Sequence, residues 1–153
     1  MGTRGTITIV FNRRKIIMYN HWDSYPLGLG ILLLNELINL LDSNKLVKKF
    51  EQIKIVHQTI KPTDKDIQNL SKFTDLSVAS QDTQDWYCLL RKCQGSILKT
   101  LECGYALNHD GQEVYNYVID LDNKKFTCKE AKWNVDFDNL KNFHEIALKN
   151  GDD

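Results

Sequence analysis

Two stretches of alternating β-branched and aromatic residues stand at opposite ends of the chain, with helical periodicity between them. Thr6 to Phe11 alternate in strand fashion, Asn12-Arg13-Arg14-Lys15 is polar, and Ile16-Ile17-Met18-Tyr19 is apolar again, which predicts an opening β-hairpin. Val114 to Leu121 and Phe126-Thr127-Cys128, parted by Asp122-Asn123-Lys124-Lys125, predict a second one, entered through the turn signal Asn108-His109-Asp110-Gly111. The order is hairpin, helices, hairpin, helix, without regular strand-helix alternation. We therefore expect one α+β domain over residues 1–153. Its antiparallel or mixed sheet is built from the N-terminal and C-terminal hairpins, with helices segregated to one side.

In the middle, Ile31, Leu34, Leu37, Ile38 and Leu41 have the spacing of a helix from about Leu29 to Leu41. Asp42-Ser43-Asn44 breaks it and can cap a second helix through Leu46, Val47, Phe50 and Ile53. Thr63-Asp64-Lys65-Asp66 has the form of a capping box, so a short helix should follow through Ile67, Leu70 and Phe73. Trp86, Leu89, Leu90 and Cys93 predict another, capped by Asp82 or Thr83 and ending near Gly95. Segment 96–107 reads ambiguously, and a last helix is expected from about Asp138 to Lys149, stopped by Asn150-Gly151.

The 20 basic and 20 acidic residues cancel, so there is no strong nucleic-acid signal of the kind a basic chain carries. Cys88, Cys93, Cys103 and Cys128 lack metal-ligand spacing, and we expect buried or half-buried thiols in a reducing, cytoplasmic compartment. No apolar run is long enough to span a bilayer. Met1-Gly2-Thr3-Arg4-Gly5-Thr6 satisfies a myristoylation pattern, although a run leading into the first strand accounts for it as well. Cofactor use and the oligomeric state are both open.

Chemistry concentrates in Asn20-His21-Trp22-Asp23-Ser24-Tyr25-Pro26. If strand alternation persists past Tyr19, His21 and Asp23 share a face, which suits general acid/base work with Asp23 orienting the imidazole. Asn20, Trp22 and Tyr25 can then contact a ligand. Gly28 and Gly30 open a helix whose amides suit an anion, with Arg4 as counter-charge. The same residues also suit a structural role: Asp23 or Ser24 capping the helix, Trp22 and Tyr25 packing on it, His21 bonding a carbonyl. Tyr115, Tyr117 and Trp133 can stack on bases, but alternating aromatics in a hairpin suit one face of a core.

Gly2-Thr3-Arg4-Gly5, Tyr19 to Pro26 and Leu27-Gly28-Leu29-Gly30 together resemble a family of small proteins of giant viruses, phages and fungi, over about the first 35 residues. The hairpin segment Tyr115 to Asp122 is more weakly similar to some members. The resemblance implies a viral or mobile-element source, acting in host cytoplasm or virion, and no particular activity. The leading expectation is recognition of a small anionic ligand such as a nucleotide by Arg4, Asn20, Trp22, Tyr25, Gly28 and Gly30. A hydrolase or phosphodiesterase using His21 and Asp23, and a non-enzymatic protein-interaction or virion-associated module, are the alternatives.

Overall fold

The computed structural model describes residues 3–40 and 43–149. Met1-Gly2 of the acylation pattern, Leu41 and Asp42 at the expected helix break, and the Asn150-Gly151 stop lie outside the described residues. Strands β1 (Gly5–Phe11) and β2 (Arg14–Asn20) form the first hairpin, from Gly5 opposite Asn20 to Phe11 opposite Arg14. The turn is shorter than its polar run suggests, since Arg14 and Lys15 already belong to β2. Asn12 and Arg13 both adopt left-handed backbone, with φ of 51° and 61°. Such a turn matches the twist of the flanking strands, but without glycine it is strained. The Asp122 carboxylate compensates by accepting from both strained amides, Asn12 N at 2.7 Å and Arg13 N at 2.9 Å.

A single π-helical turn, Pro26–Gly30, runs into α1 (Ile31–Asn39), and α2 (Ser43–Glu51) follows. Periodicity carries the second helix to Ile53, whereas α2 stops at Glu51 and Lys54–Val56 becomes strand β3. The cause is a distant partner: β3 pairs in parallel with β4 (Tyr105–Leu107), a contact that helical spacing cannot reveal. Between them lie α3 (Asp64–Asn69), α4 (Trp86–Leu89) and α5 (Ile97–Cys103). The cap of α4 is Asp85, whose carboxylate accepts from Tyr87 N, rather than Asp82 or Thr83. The ambiguous segment divides at Gly104, whose φ of 78° ends α5 and turns the chain into β4.

Strands β5 (Tyr115–Asp120) and β6 (Lys125–Cys128) form the second hairpin. Strand β7 (Trp133–Asp136), too short to read in sequence, and α6 (Leu140–Lys149) complete the chain. The sheet order is β2-β1-β5-β6-β7, and the sheet is mixed because β1 and β5, which join the hairpins, run parallel. Ile7, Ile9, Phe11, Ile16, Tyr117, Ile119, Phe126 and Val135 point to one face. There they meet Leu33, Leu34 and Leu37 of α1, Leu46 and Phe50 of α2, and Leu140 of α6 in one buried cluster. Tyr117 and Phe126 stack at 6.0 Å, with Trp133 edge-on to both, so these aromatics are core rather than a base-stacking platform. Among the described residues no helix is long and apolar enough to cross a membrane.

A smaller cluster of Val56, Leu70, Trp86, Leu89, Leu90 and Tyr105 lies under the two-stranded sheet. Asp66 ties it together. The Thr63 hydroxyl accepts from Asp66 N, while the Asp66 carboxylate accepts from Thr63 N, completing the capping box. Its other oxygen accepts from Lys54 Nζ at 2.9 Å and Tyr105 Oη at 2.8 Å, so one side chain joins α3, β3 and β4. Burial pushes this carboxyl up, but the hydrogen bonds from Thr63, Lys54 and Tyr105 outweigh it and hold it far below the usual carboxylate range. A depressed native value stabilises the fold above the unfolded value of about 3.9, and that stabilisation is lost as pH falls towards the native one. We expect Asp66→Ala to lower the unfolding free energy by about 2–3 kcal/mol at neutral pH in urea titrations. The gap from wild type should close progressively below about pH 4.

Candidate functional site

The segment after β2 is built first as a clasp. Asn20 is buried at the end of the strand, and its amide nitrogen donates to Trp22 O at 2.7 Å and Ser24 Oγ at 2.8 Å. Ser24 is wholly buried: its N–H donates to Thr3 O at 3.0 Å, and its carbonyl accepts from Tyr117 Oη at 2.8 Å. Burial pushes the Tyr117 hydroxyl well up, so it stays a donor. Asn20, expected among the ligand contacts, therefore spends its amide donors on the loop itself.

The glycines receive a similar correction. Gly28 N donates to Tyr25 O and Leu29 N donates to Asp23 O, both at 2.9 Å, so these amides are not available to an anion. A Cβ on Gly28 would lie 2.3 Å from Asp23 O, and one on Gly30 would lie 2.8 Å from the Trp133 ring. Here glycine admits close packing of the π-turn on the loop and on β7, rather than the approach of a phosphate.

Nor does the expected pairing of His21 with Asp23 form. Strand geometry ends at Asn20, and Asp23 turns left-handed with φ 54°, which breaks the alternation that would have placed both side chains on one face. The partner of His21 Nδ1 is the Tyr19 hydroxyl, 2.7 Å away. Gln94 Oε1 accepts from His21 N at 2.7 Å, and the Trp22 ring stands edge-on to the imidazole at 4.6 Å. Trp22, Asp23 and Tyr25 are exposed.

Tyr19 is the hub of this region, a role that its place in an apolar strand run does not signal. Its ring lies 5.8 Å from His21, 5.0 Å from His109 and 6.4 Å from Tyr87, centroid to centroid. Burial raises its hydroxyl pKa, the nearby Arg4 guanidinium opposes the rise, and Tyr87 and Glu113 reinforce it. Among the described residues no carboxylate forms an ion pair with the exposed Arg4. His109 Nε2 is 3.1 Å from Glu113 Oε2. Glu113 is itself held by the buried Asn116, whose Oδ1 accepts from Glu113 N and from the Thr6 hydroxyl.

What brings His109 here is the edge of the sheet. His109 N donates to Ile17 O at 2.7 Å, and Ile17 N donates to Asn108 Oδ1 at 3.1 Å, so the Asn108-His109 turn covers the open edge of β2. Behind the aromatic group a cleft of about 480 Å³ runs between this edge and the α4–α5–β4 segment. Met18, Leu90 and Ala106 supply apolar wall, Tyr19, Tyr87 and His109 aromatic wall, and Gln94 and Asp110 polar groups. A mostly apolar concavity with a few convergent polar groups is the usual form of a small-molecule site.

Of the residues singled out in sequence, His21 packs on Tyr19, Trp22 packs on His21, the Arg4 charge acts on the Tyr19 hydroxyl, and Asn20, Gly28 and Gly30 build the loop. No residue pattern marks Tyr19, Tyr87, Gln94 or Glu113 as site residues, and His109, too far in sequence from His57 and His144 to suggest a shared site, is legible only as part of the Asn108-His109 turn, whose docking against β2 is not. No family model matches this chain, and neither a curated protein nor a solved structure is similar to it. The clasp itself is testable. Asn20→Ala leaves the buried Ser24 region without its donor and should cost about 1–3 kcal/mol of stability in chemical denaturation. Asp23→Ala, altering an exposed carboxylate, should change it by less than about 0.5 kcal/mol.

Proposed function

We propose that the protein binds a small anionic ligand with a planar ring, a nucleotide being the chemical class that fits best, in the cleft behind Tyr19. The observation that carries this reading is the cleft of about 480 Å³ walled by Tyr19, Tyr87 and His109, with the Arg4 guanidinium, in no ion pair among the described residues, close enough for its charge to act on Tyr19. The aromatic rings offer stacking area for a base, which is favourable by about 1–3 kcal/mol per stacked base. Gln94 and Asp110 supply an amide and a carboxylate able to meet the donors and acceptors of a base edge. Arg4 meets a phosphate, and Trp22, exposed beside His21, extends the aromatic surface outward.

This reading keeps Arg4, His21 and Trp22 from the sequence expectation and moves the centre of the site from the glycine turn to Tyr19. A source in a virus or mobile element, which the N-terminal signature implies, accords with a small protein that sequesters a host nucleotide in the cytoplasm or in the virion. A protein-contact reading draws on the exposed Trp22, Tyr25, Leu27 and Leu32 along the π-turn and α1.

Thermal unfolding and calorimetry against mono-, di- and cyclic nucleotides separate the two. We expect at least one class to raise the unfolding midpoint of wild type, the stabilisation reaching about 2.7 kcal/mol at a hundredfold excess over Kd. Tyr87→Ala should abolish the shift, and Arg4→Ala should weaken binding about tenfold, the loss of one charge-assisted contact. No shift with any nucleotide at millimolar concentration would overturn the proposal and favour the protein-contact reading.

A further inference from the structure

His109 lines the cleft, His21 stands against the same Tyr19 ring, and their hydrogen bonds leave a different nitrogen of each without a hydrogen-bond partner among the described residues. His109 Nε2 faces Glu113 Oε2 at 3.1 Å. A carboxylate only accepts, so the ring proton sits on Nε2 and Nδ1 keeps its lone pair. His21 is held the other way round: Nδ1 bonds the Tyr19 hydroxyl at 2.7 Å, and Nε2 is the nitrogen left for other chemistry. Both imidazoles pack on the same phenol ring, at 5.8 and 5.0 Å, and the Arg4 charge acts on its hydroxyl. Each ring also has its backbone anchored, His21 N to Gln94 and His109 N to Ile17 O, so neither position depends on a flexible side chain alone.

We propose that His109 and His21 are a general base and a general acid that hydrolyse a phosphodiester held at the mouth of this cleft, a step that rests on the nucleotide-binding reading above. His109 Nδ1 takes a proton from a water molecule as the water oxygen bonds to phosphorus. The bond from phosphorus to the leaving oxygen breaks, and protonated His21 delivers its Nε2 proton to that oxygen while its Nδ1–H donates to the Tyr19 hydroxyl. The products are a phosphomonoester and an alcohol; nothing is oxidised or reduced. The cycle leaves His109 protonated and His21 neutral, and proton exchange with solvent restores both. Glu113 is a positioning residue that fixes the His109 tautomer, and Arg4 balances charge on the phosphoryl oxygens. Asp23 has no part in the step.

The test compares two diesters that differ in leaving group, using the full chain in the presence of a chelator. Bis(p-nitrophenyl) phosphate expels a stable phenolate that needs little protonation, whereas a thymidine dinucleoside monophosphate expels an alkoxide that needs it strongly. His109→Ala should lower kcat by at least about 100-fold on both substrates, the usual scale of a lost acid or base. His21→Ala should lose about as much on the dinucleotide but less than about tenfold on the nitrophenyl ester. Glu113→Gln should reduce kcat with KM unchanged at a folded fraction equal to wild type by circular dichroism, the check that separates it from a loss of active protein. Should an alanine variant fail to fold, His109→Gln and His21→Gln carry the same comparison. Calorimetric binding of the dinucleotide by wild type without product release would overturn the hydrolytic step while leaving the ligand reading intact. Absence of both binding and turnover would overturn the two together, and full activity in either histidine variant would overturn the assignment of that residue.

Discussion

The parallel pairing of β1 with β5 is the constraint on which the rest of the structure depends. It runs from Gly5 opposite Tyr115 to Val10 opposite Asp120 and places strands far apart in sequence side by side in the centre of the sheet. Antiparallel strands can be joined by a tight turn, whereas parallel strands need a crossover, and here the crossover is the whole middle of the chain. The apolar face it must cover is therefore met by α1 and α2 from within the crossover and by α6 from beyond it. Tyr117 on β5 fastens the same junction from a second direction, because its hydroxyl reaches the Ser24 carbonyl and ties the loop after β2 to the sheet centre.

That arrangement leaves β2 at an edge, and an edge strand with unpaired backbone groups is a natural place for another part of the chain to dock. The Asn108-His109 turn does so through two hydrogen bonds to Ile17. One consequence is protection of the edge; the other is chemical, since His109 arrives against Tyr19, the ring on which His21 also packs. Arg4, Tyr19 and His21 come from the first hairpin, Tyr87 from α4, and His109 and Glu113 from the approach to β5. The site is thus a by-product of the way the sheet closes its edge, and the cleft behind it is the space left where the crossover returns.

Much of the local structure is legible in residue patterns. The hairpins show in alternation, the Thr63–Asp66 capping box is realised atom for atom, and the four cysteines are free and buried or half-buried. The misreadings share a cause. Lys54–Val56 continues an apolar helical pattern but is captured as a strand by Tyr105–Leu107, and Trp133–Asp136 becomes a strand because β6 offers it a ladder. The composition of the loop from Asn20 to Pro26 suggests a ligand site, but what the structure shows there is a buried clasp. Asn20 and Ser24 are polar because they are buried and must bond one another, and Gly28 and Gly30 are small because Asp23 O and the Trp133 ring lie against them.

The sequence by itself determined which segments turn, cap and alternate, because those properties come from side chains a few residues apart acting on their own backbone. It determined too that His21 stands in a segment dense with polar and aromatic groups. Only the tertiary structure decided that the partner of His21 is Tyr19 rather than Asp23, and that His109, paired with Glu113, packs on that same Tyr19 ring. The reason is that these contacts follow from strand order and from the docking of a turn on a sheet edge. Both are set by the burial of the whole core, and no local pattern of residues encodes them.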